Sequence, residues 1–172
     1  DEHRELFAAT IGGLGLTGII EWAELQLVPI RSSRIVSLTQ RFSGLDEFFA
    51  LSEELDGKHE FCVSWIDCAA KGRASGRGVY IAGDFAEDGP LEVEGARKLN
   101  VPVTPPVSLV NGLSLRLFNQ LYWRRAPGAR RLASGAYDPF FYPLDAILNW
   151  NRIYGPRGFQ QYQAVIPEAN AR

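Results

Sequence analysis

The sequence predicts an α+β fold, in which helices cover one face of an antiparallel sheet. After residue 30, periodic segments follow in the order strand, helix, strand, strand, helix, strand, helix, strand. Two neighbouring strand segments, 59–67 and 78–85, are joined by a glycine- and charge-rich turn, as in a β-hairpin with a long loop. The 172 residues are 46% hydrophobic and 22% charged, which is ordinary for a soluble globular protein.

The first 30 residues form a separate strip. A short helix is predicted over 3–10, and it ends at Gly12–Gly18, where four glycines in seven residues permit positive φ. Residues 19–28 alternate apolar and polar side chains and predict a strand, which Pro29 ends. By itself the glycine stretch indicates a helix-to-strand turn, because nucleotide-binding fingerprints need a strand before the glycines and a helix after them.

A strand and a helix open the main domain. Residues 34–41 predict the strand, and Ser43–Asp46 predicts a helix start with a capping residue and an acidic residue three positions later. Leu45, Phe48, Ala50–Leu51 and Leu55 are expected to form the buried stripe of this helix, and Gly57 is expected to end it.

Segment 59–67 is apolar on both faces, which predicts a central strand. Cys62 and Cys68 are six positions apart, which would place both on one face of an extended strand. They lack the spacing of a metal or redox pair and are expected to be buried free thiols. Segment 78–85 is the next strand of the predicted hairpin.

The second half of the chain begins with a proline-rich irregular stretch, 86–112, which is expected to be a lid, a binding loop or a mobile segment. A helix is predicted over 113–123, a strand over 133–141, a short helix over 143–150 and a final strand over 159–166. In that final strand Gln161 and Gln163 point to one face.

Two polar groups of residues suggest binding. Asn149–Tyr154, together with Gln161 and Gln163, offers amides and a guanidinium that could hold sugar hydroxyls or a phosphate, or could simply be a solvated sheet surface. The second group suits either an anionic lipid or phosphate, or a solvated turn, and consists of four arginines: Arg124, Arg125, Arg130 and Arg131.

Several classes of function find no support in the sequence. The net charge of −2 gives no case for nucleic-acid binding. With two histidines and no G-x-S-x-G motif there is no basis for a serine hydrolase, and no metal-binding pattern occurs. No stretch is long and apolar enough to span a membrane, and no catalytic residue can be named from the sequence.

Two regions nevertheless resemble a known family. Glu5–Ile20 resembles the last part of the flavin-binding domain in FAD-linked oxidases of the vanillyl-alcohol oxidase superfamily. Other segments resemble the substrate domain of its decaprenylphosphoryl-β-D-ribose 2′-oxidase branch, namely Ser64–Asp67, Asn111–Leu113, Leu121–Arg125, Phe141–Asp145, Trp150–Pro156 and Gly158–Gln163. The resemblance implies a boundary, with 1–30 the C-terminal strip of the FAD-binding domain and 31–172 the substrate (cap) domain, incomplete at its C-terminus.

The resemblance also implies a reaction, in which the 2′-OH of a polyprenylphosphoryl ribose is oxidised to a ketone by hydride transfer to FAD. It assigns the flavin side to Gly15, Thr17, Gly18 and Ile20. It assigns the substrate side to Trp65, Phe141, Leu144, Arg152, Gln161 and Gln163. Phe141 stands where the family has a tyrosine, with Tyr142 one position later.

The chain contains no methionine and begins inside a flavin-domain motif. We therefore expect an internal piece of a longer oxidase, without stoichiometric FAD and inactive alone. The implied partners are a lipid-linked sugar and a ketoreductase that completes the epimerisation to the arabinose form. The expected location is the cytoplasm or a membrane surface, with the periplasm an alternative. Two other readings stay open: an FAD-linked oxidase of another alcohol, and a non-enzymatic α+β binding module.

Overall fold

The structure is a computed structural model that describes residues 3–92, 98–167 and 170. Its helices are α1 (Arg4–Thr10), α2 (Leu45–Leu55), α3 (Gly112–Arg125) and α4 (Tyr137–Phe141). Its strands are β1 (Arg34–Phe42), β2 (Phe61–Ile66), β3 (Gly78–Phe85), β4 (Leu99–Asn100), β5 (Arg131–Ala136) and β6 (Ile147–Leu148).

A four-stranded antiparallel sheet is the centre of the fold, with the strand order β2-β3-β1-β5. The predicted α+β class is thereby confirmed. The predicted hairpin is also confirmed, since β2 and β3 pair directly.

The position of β2 corrects one prediction. β2 pairs only with β3 and is an edge strand, whereas β3 and β1 are central. Apolar residues on both faces predicted a central strand, but they report which faces are covered rather than which backbone edges are paired. The edge position leaves Val63 and Cys62 exposed, and Cys68 is exposed beyond the strand end, so the expected buried thiols are wrong as well.

The hydrophobic core lies between the sheet and α2. Its buried members are Phe42, Leu51, Leu55, Tyr80 and Ala82. Leu51 and Leu55 belong to the stripe predicted for α2, and their burial is confirmed, whereas Leu45 of the same stripe is 48% exposed.

The start of α2 differs by one residue from its prediction. The N-cap is Gly44 rather than Ser43, and no side chain caps the helix there. Instead the backbone N–H of Ser43, one residue before the N-cap, donates to the Glu47 carboxylate at 2.8 Å.

Aromatic side chains cover part of the opposite face of the sheet. The ring of Phe141 in α4 packs edge-on against Phe61 of β2, with ring centroids 4.8 Å apart. Phe140 lies against Gly83, where a Cβ atom would come within 2.9 Å of its ring. At the other end Trp65 packs on Tyr122 of α3, at 4.8 Å. The sheet face that was predicted to carry no helix is therefore partly covered by aromatic side chains.

The C-terminal elements correct two further predictions. The strand expected over 133–141 ends at Ala136, and Tyr137–Phe141 is helical instead. Pro139 is compatible with this short helix because it lies in the first turn, where the backbone N–H has no intrahelical partner. The helix expected over 143–150 is absent; β6 lies there, parallel to β4, and a 3₁₀ turn follows over Trp150–Tyr154.

Two predicted strands, 19–28 and 159–166, are not formed. Neither segment pairs with another strand within the described parts of the chain, and large side chains such as Ile19 and Tyr162 are exposed in both. Alternation supplies two faces, but a strand also needs a neighbour to accept and donate its backbone hydrogen bonds. The segment 86–112 is irregular as predicted outside β4, and part of it lies outside the described residues.

Helix α3, predicted over 113–123, spans Gly112–Arg125 and begins at a capping box. The Asn111 side chain accepts from the backbone N–H groups of Leu113 and Ser114, both at 3.1 Å, and the Ser114 hydroxyl accepts from the Asn111 N–H at 3.0 Å. Among the helices of the described ranges, none is long and apolar enough to cross a membrane.

The cap of α3 gives a first testable prediction. Replacing Asn111 with alanine is expected to lower the free energy of unfolding by about 1 kcal/mol, because two N–H groups lose their acceptor. Asn111→Gly is the matched control and should cost only a few tenths of that, since glycine is itself a favourable cap. Urea denaturation followed by circular dichroism measures both. Equal losses in the two variants would contradict the assigned cap.

Candidate functional site

The residues assigned to the flavin side lie in an open turn. Gly15 and Gly18 have φ values of +76° and +140°, and a Cβ atom at either would meet nothing within 4 Å. The hydroxyl of Thr17 hydrogen-bonds that of Thr10 at 2.9 Å, which ties the turn to the end of α1. Ile20 is exposed. The turn thus presents bare backbone at the two glycines together with exposed aliphatic side chains, among them Leu16, Ile19 and Ile20.

Trp65 and Phe141, assigned to the substrate side, are both held in aromatic contacts. Trp65 is half-buried against Tyr122, and Phe141 packs among Phe61, Phe85 and Phe140. These contacts fix both rings on the same face of the sheet, but at opposite ends of β2.

The remaining assigned residues lie elsewhere. Arg152 donates through Nη1 to the carbonyl oxygens of Val101 and Pro102, at 3.0 and 2.6 Å, so it joins the 3₁₀ turn to the segment after β4. Leu144, Gln161 and Gln163 are exposed. Within residues 3–92 and 98–167, no hydrogen bond or ring contact joins two of the six assigned substrate residues. Their common role stays a prediction.

The structure does assemble one polar site, where the turn between β2 and β3 meets α3. A cavity of about 380 Å³ opens there. It is lined by Asp67, Ala69, Ala70, Lys71, Ala74, Arg77, Arg116 and Gln120.

A buried ion pair forms the floor of this cavity. Asp67 Oδ2 accepts from Arg77 Nε at 3.0 Å and from Nη2 at 2.8 Å, and the side chains are only 2% and 11% exposed. Asp67 Oδ1 accepts from Asn119 Nδ2 at 2.6 Å and from the backbone N–H of Ala69 at 3.2 Å. The third Arg77 nitrogen, Nη1, donates to Gln120 Oε1 at 2.7 Å.

The same guanidinium lies over the Trp123 ring, with 5.1 Å between its carbon and the ring centroid, and Arg41 lies over that ring at 4.6 Å. The Trp123 indole N–H donates to the carbonyl oxygen of Phe42 at 3.1 Å. These contacts hold α3 against the end of the sheet.

The ion pair also sets the protonation of Asp67. Burial alone would raise the pKa of this carboxyl, but the hydrogen bonds from Arg77 and Asn119 and the charge of Arg77 outweigh burial and lower the pKa. Asp67 is therefore ionised at neutral pH, and its charge is matched by that of Arg77.

The four arginines singled out in the sequence lie outside this cavity and are exposed, which agrees with a solvated surface. Arg130 also forms hydrogen bonds to Glu54 and Gln40. The sequence did contain a signal for this polar site, because Asp67 and Arg77 stand at the two ends of the turn in the predicted hairpin. Arg116, Asn119 and Gln120 share one face of the predicted helix, at spacings of three and four.

Similarity to known proteins extends along nearly the whole chain. No protein-family model matches it. The chain is 31% identical over 95% of its length to decaprenylphosphoryl-beta-D-ribose oxidase of Mycolicibacterium smegmatis. It is 34% identical over 76% of its length to an uncharacterized protein in the mprA 5′ region of Streptomyces coelicolor. It spans 37% and 40% of the lengths of these relatives. The similarity along nearly its whole length places this chain in the family of decaprenylphosphoryl-beta-D-ribose oxidase.

Proposed function

We propose that this chain is the substrate-binding part of an FAD-dependent oxidoreductase that oxidises a sugar hydroxyl to a ketone. The proposed substrate is a polyprenylphosphoryl ribose, and the proposed position is its 2′-OH. The observation that carries the proposal is the 31% identity along 95% of the chain to an oxidase whose name states such a substrate. The resemblance found at both ends of the sequence agrees with it.

The open turn fits a flavin in its chemistry. Gly15 and Gly18 leave the backbone free of side chains at positive φ, and the exposed Ile20 offers an apolar contact for a flat aromatic ring. FAD, when bound, would supply the redox chemistry by accepting a hydride. We propose that the turn contributes one wall of the cofactor site.

The turn is open on the side of its glycines, since a Cβ atom at Gly15 or Gly18 would meet nothing within 4 Å. We therefore expect the 172-residue chain by itself to purify without stoichiometric FAD. Flavin absorbance of the purified chain measures this directly. A yellow preparation with one flavin per chain would overturn the expectation.

On the substrate side the proposal rests on Trp65, Arg152, Gln161 and Gln163. The guanidinium and the amides provide hydrogen-bond donors and acceptors suited to hydroxyl and phosphate groups, and the indole provides a flat apolar surface. The two glutamines make no hydrogen bond within the described parts of the chain, so their amides are available to a substrate.

Anaerobic flavin reduction tests the proposed function in the full-length protein that carries this chain. Polyprenylphosphoryl ribose is expected to bleach the flavin absorbance, whereas the arabinose epimer and vanillyl alcohol are not. If only a simple aromatic alcohol bleaches the flavin, the protein is an oxidase of another alcohol and not a sugar oxidase. Absence of bound flavin in the full-length protein would contradict both of these functions.

A matched pair of glutamine variants tests the assigned substrate face. Gln163→Leu is expected to raise the KM for the lipid-linked sugar by about five- to tenfold, because about 1 kcal/mol of hydrogen bonding is lost. Gln160→Leu makes the same chemical change at a neighbouring exposed glutamine that is not assigned to the substrate, and it should leave the KM unchanged. Steady-state kinetics of the full-length protein measures both. A larger effect at Gln160 would contradict the assignment of Gln163 to the substrate.

One observation keeps a different alcohol substrate as a second candidate. Phe141 stands where the family has a tyrosine, and its ring is packed edge-on against Phe61 and Phe140. A phenol hydroxyl that would contact a sugar is therefore missing at that position. If Tyr142, which is more than half exposed, supplies it instead, Tyr142→Phe should impair ribose oxidation, while Phe141→Tyr should not improve it.

A further inference from the structure

The cavity beside Asp67 presents positive charge that the protein itself does not neutralise. Lys71 and Arg116 line it, and the side chain of neither forms a hydrogen bond or an ion pair with the described part of the chain. Arg77 also lines the cavity, but its charge is matched by Asp67 at 2.8 Å. Two cationic side chains therefore face the cavity without a partner.

The acceptors around this cavity are already in use. Both carboxylate oxygens of Asp67 accept hydrogen bonds, from Arg77 on one side and from Asn119 and the Ala69 N–H on the other. The Gln120 carbonyl oxygen accepts from Arg77. That bond fixes the amide so that its Nε2 donors remain available.

The polar side-chain groups that remain available in the wall are donors: the Lys71 ammonium, the Arg116 guanidinium and the Gln120 amide, beside the apolar side chains of Ala69, Ala70 and Ala74. Available donors that include two free positive charges call for a ligand that is anionic and rich in acceptor oxygens. Phosphate meets both requirements better than a carboxylate, because it carries more oxygens and up to two negative charges. Arginine and lysine are also the usual phosphate-binding side chains.

We propose that this cavity binds the phosphate group of a small phosphorylated ligand. Its volume of about 380 Å³ is at the lower end of the range for ligand pockets, roughly 300–1,000 Å³, and leaves room for a sugar-sized group beside the phosphate. The buried ion pair and Asn119 make the floor rigid, so the cavity does not have to be assembled by the ligand. The proposal does not depend on the oxidase activity.

Two sources offer this chemistry, a soluble sugar phosphate and the phosphate head group of a lipid. Isothermal titration of the full-length protein with ribose 5-phosphate and with inorganic phosphate tests the soluble source. Co-sedimentation with phosphatidylcholine vesicles, with and without phosphatidic acid, tests the lipid source. Flavin reduction is not a readout, so failure of the proposed oxidase function would not affect the result.

The two free cations provide the variants. Arg116→Gln and Lys71→Gln are each expected to weaken binding of the responding probe about tenfold, since each removes a charge-assisted hydrogen bond worth about 1.4 kcal/mol. Arg157→Gln is the matched control, because it removes the same charge from an exposed position outside the cavity and should leave affinity unchanged. Both cavity residues are exposed, so the variants should fold, which circular dichroism checks.

Binding of either source supports the proposal when the two cavity variants lose it and Arg157→Gln keeps it. The source that binds then identifies where the phosphate comes from. Equal weakening by all three variants would show non-specific electrostatic attraction and would overturn the proposal. So would the absence of binding by ribose 5-phosphate, inorganic phosphate and acidic vesicles at millimolar phosphate.

Discussion

Replacing Asp67 with asparagine is expected to destabilise the protein by about 3–5 kcal/mol. The substitution keeps the shape of the side chain but leaves the buried guanidinium of Arg77 without a counter-charge. It also weakens the acceptor of the Asn119 amide, which holds α3 to the end of β2. Urea denaturation, read as a shift in midpoint at constant slope, measures the loss.

A matched surface pair serves as the control. Arg31 and Glu87 form an ion pair of similar length, 2.9 Å, but their side chains are 77% and 84% exposed. Glu87→Gln should therefore cost less than about 1 kcal/mol. Adding Arg77→Met to Asp67→Asn should recover part of the loss, because no uncompensated charge then remains. If Asp67→Asn costs no more than Glu87→Gln, the buried pair does not stabilise the fold.

The ionised state of Asp67 adds a pH dependence with a definite sign. Its pKa is lowered in the folded protein, so its contribution to stability is present above the unfolded pKa, about 3.9, and is lost as pH falls through the folded pKa. The stability difference between wild type and Asp67→Asn should therefore be constant near neutrality and shrink below about pH 4. A difference that grows on acidification would contradict the assignment.

Replacing Phe42 with alanine is expected to cost about 3–5 kcal/mol. Phe42 is fully buried at the end of β1, where it packs on Phe48 of α2 and borders Leu51, Leu55 and Tyr80. Removal of the ring loses its apolar burial and leaves a cavity that rigid neighbours cannot fill. Phe7→Ala, in which the ring is 69% exposed, is the control and should be nearly neutral.

Gly78 lies directly opposite Phe42 in the sheet and allows a sharper test. A Cβ atom at Gly78 would come within 2.8 Å of Phe42 Cε2 and would also collide with the Trp65 carbonyl oxygen. Gly78→Ala should cost about 1–3 kcal/mol or more, whereas Gly135→Ala on β5, where nothing lies within 4 Å, should cost nothing.

The two changes are expected to couple. In the Phe42→Ala background the ring is gone, so Gly78→Ala should cost less, although the clash with Trp65 persists. A double-mutant cycle measures the difference. Strict additivity would show that the two residues do not contact each other in the folded protein.

The elements that were predicted well are those whose signal is local. β1, α2, β3 and α3 lie within a few residues of their predicted positions, because strand alternation and helical periodicity are encoded in neighbouring residues. The family resemblance is also a property of the sequence, and it gave the oxidase assignment that the comparison confirms at the family level.

The errors arose where a local pattern depends on a distant partner. Residues 19–28 and 159–166 alternate like strands but have no neighbour to pair with in the described chain, and β2 is apolar on both faces yet lies at an edge. The roles of the assigned flavin and substrate residues stay predictions. Within the described residues, no hydrogen bond or ring contact joins two of the six residues assigned to the substrate.

By itself, the sequence determined the α+β class, the order of the central elements and the family. Only the tertiary structure decided that Asp67, Arg77 and Asn119, which are up to 52 positions apart, form one buried network beside a cavity with two free cations. The physical reason is that periodicity specifies which side of an element is buried, whereas a polar site depends on which elements meet. That meeting is set by strand pairing and by the packing of α3 against the sheet end.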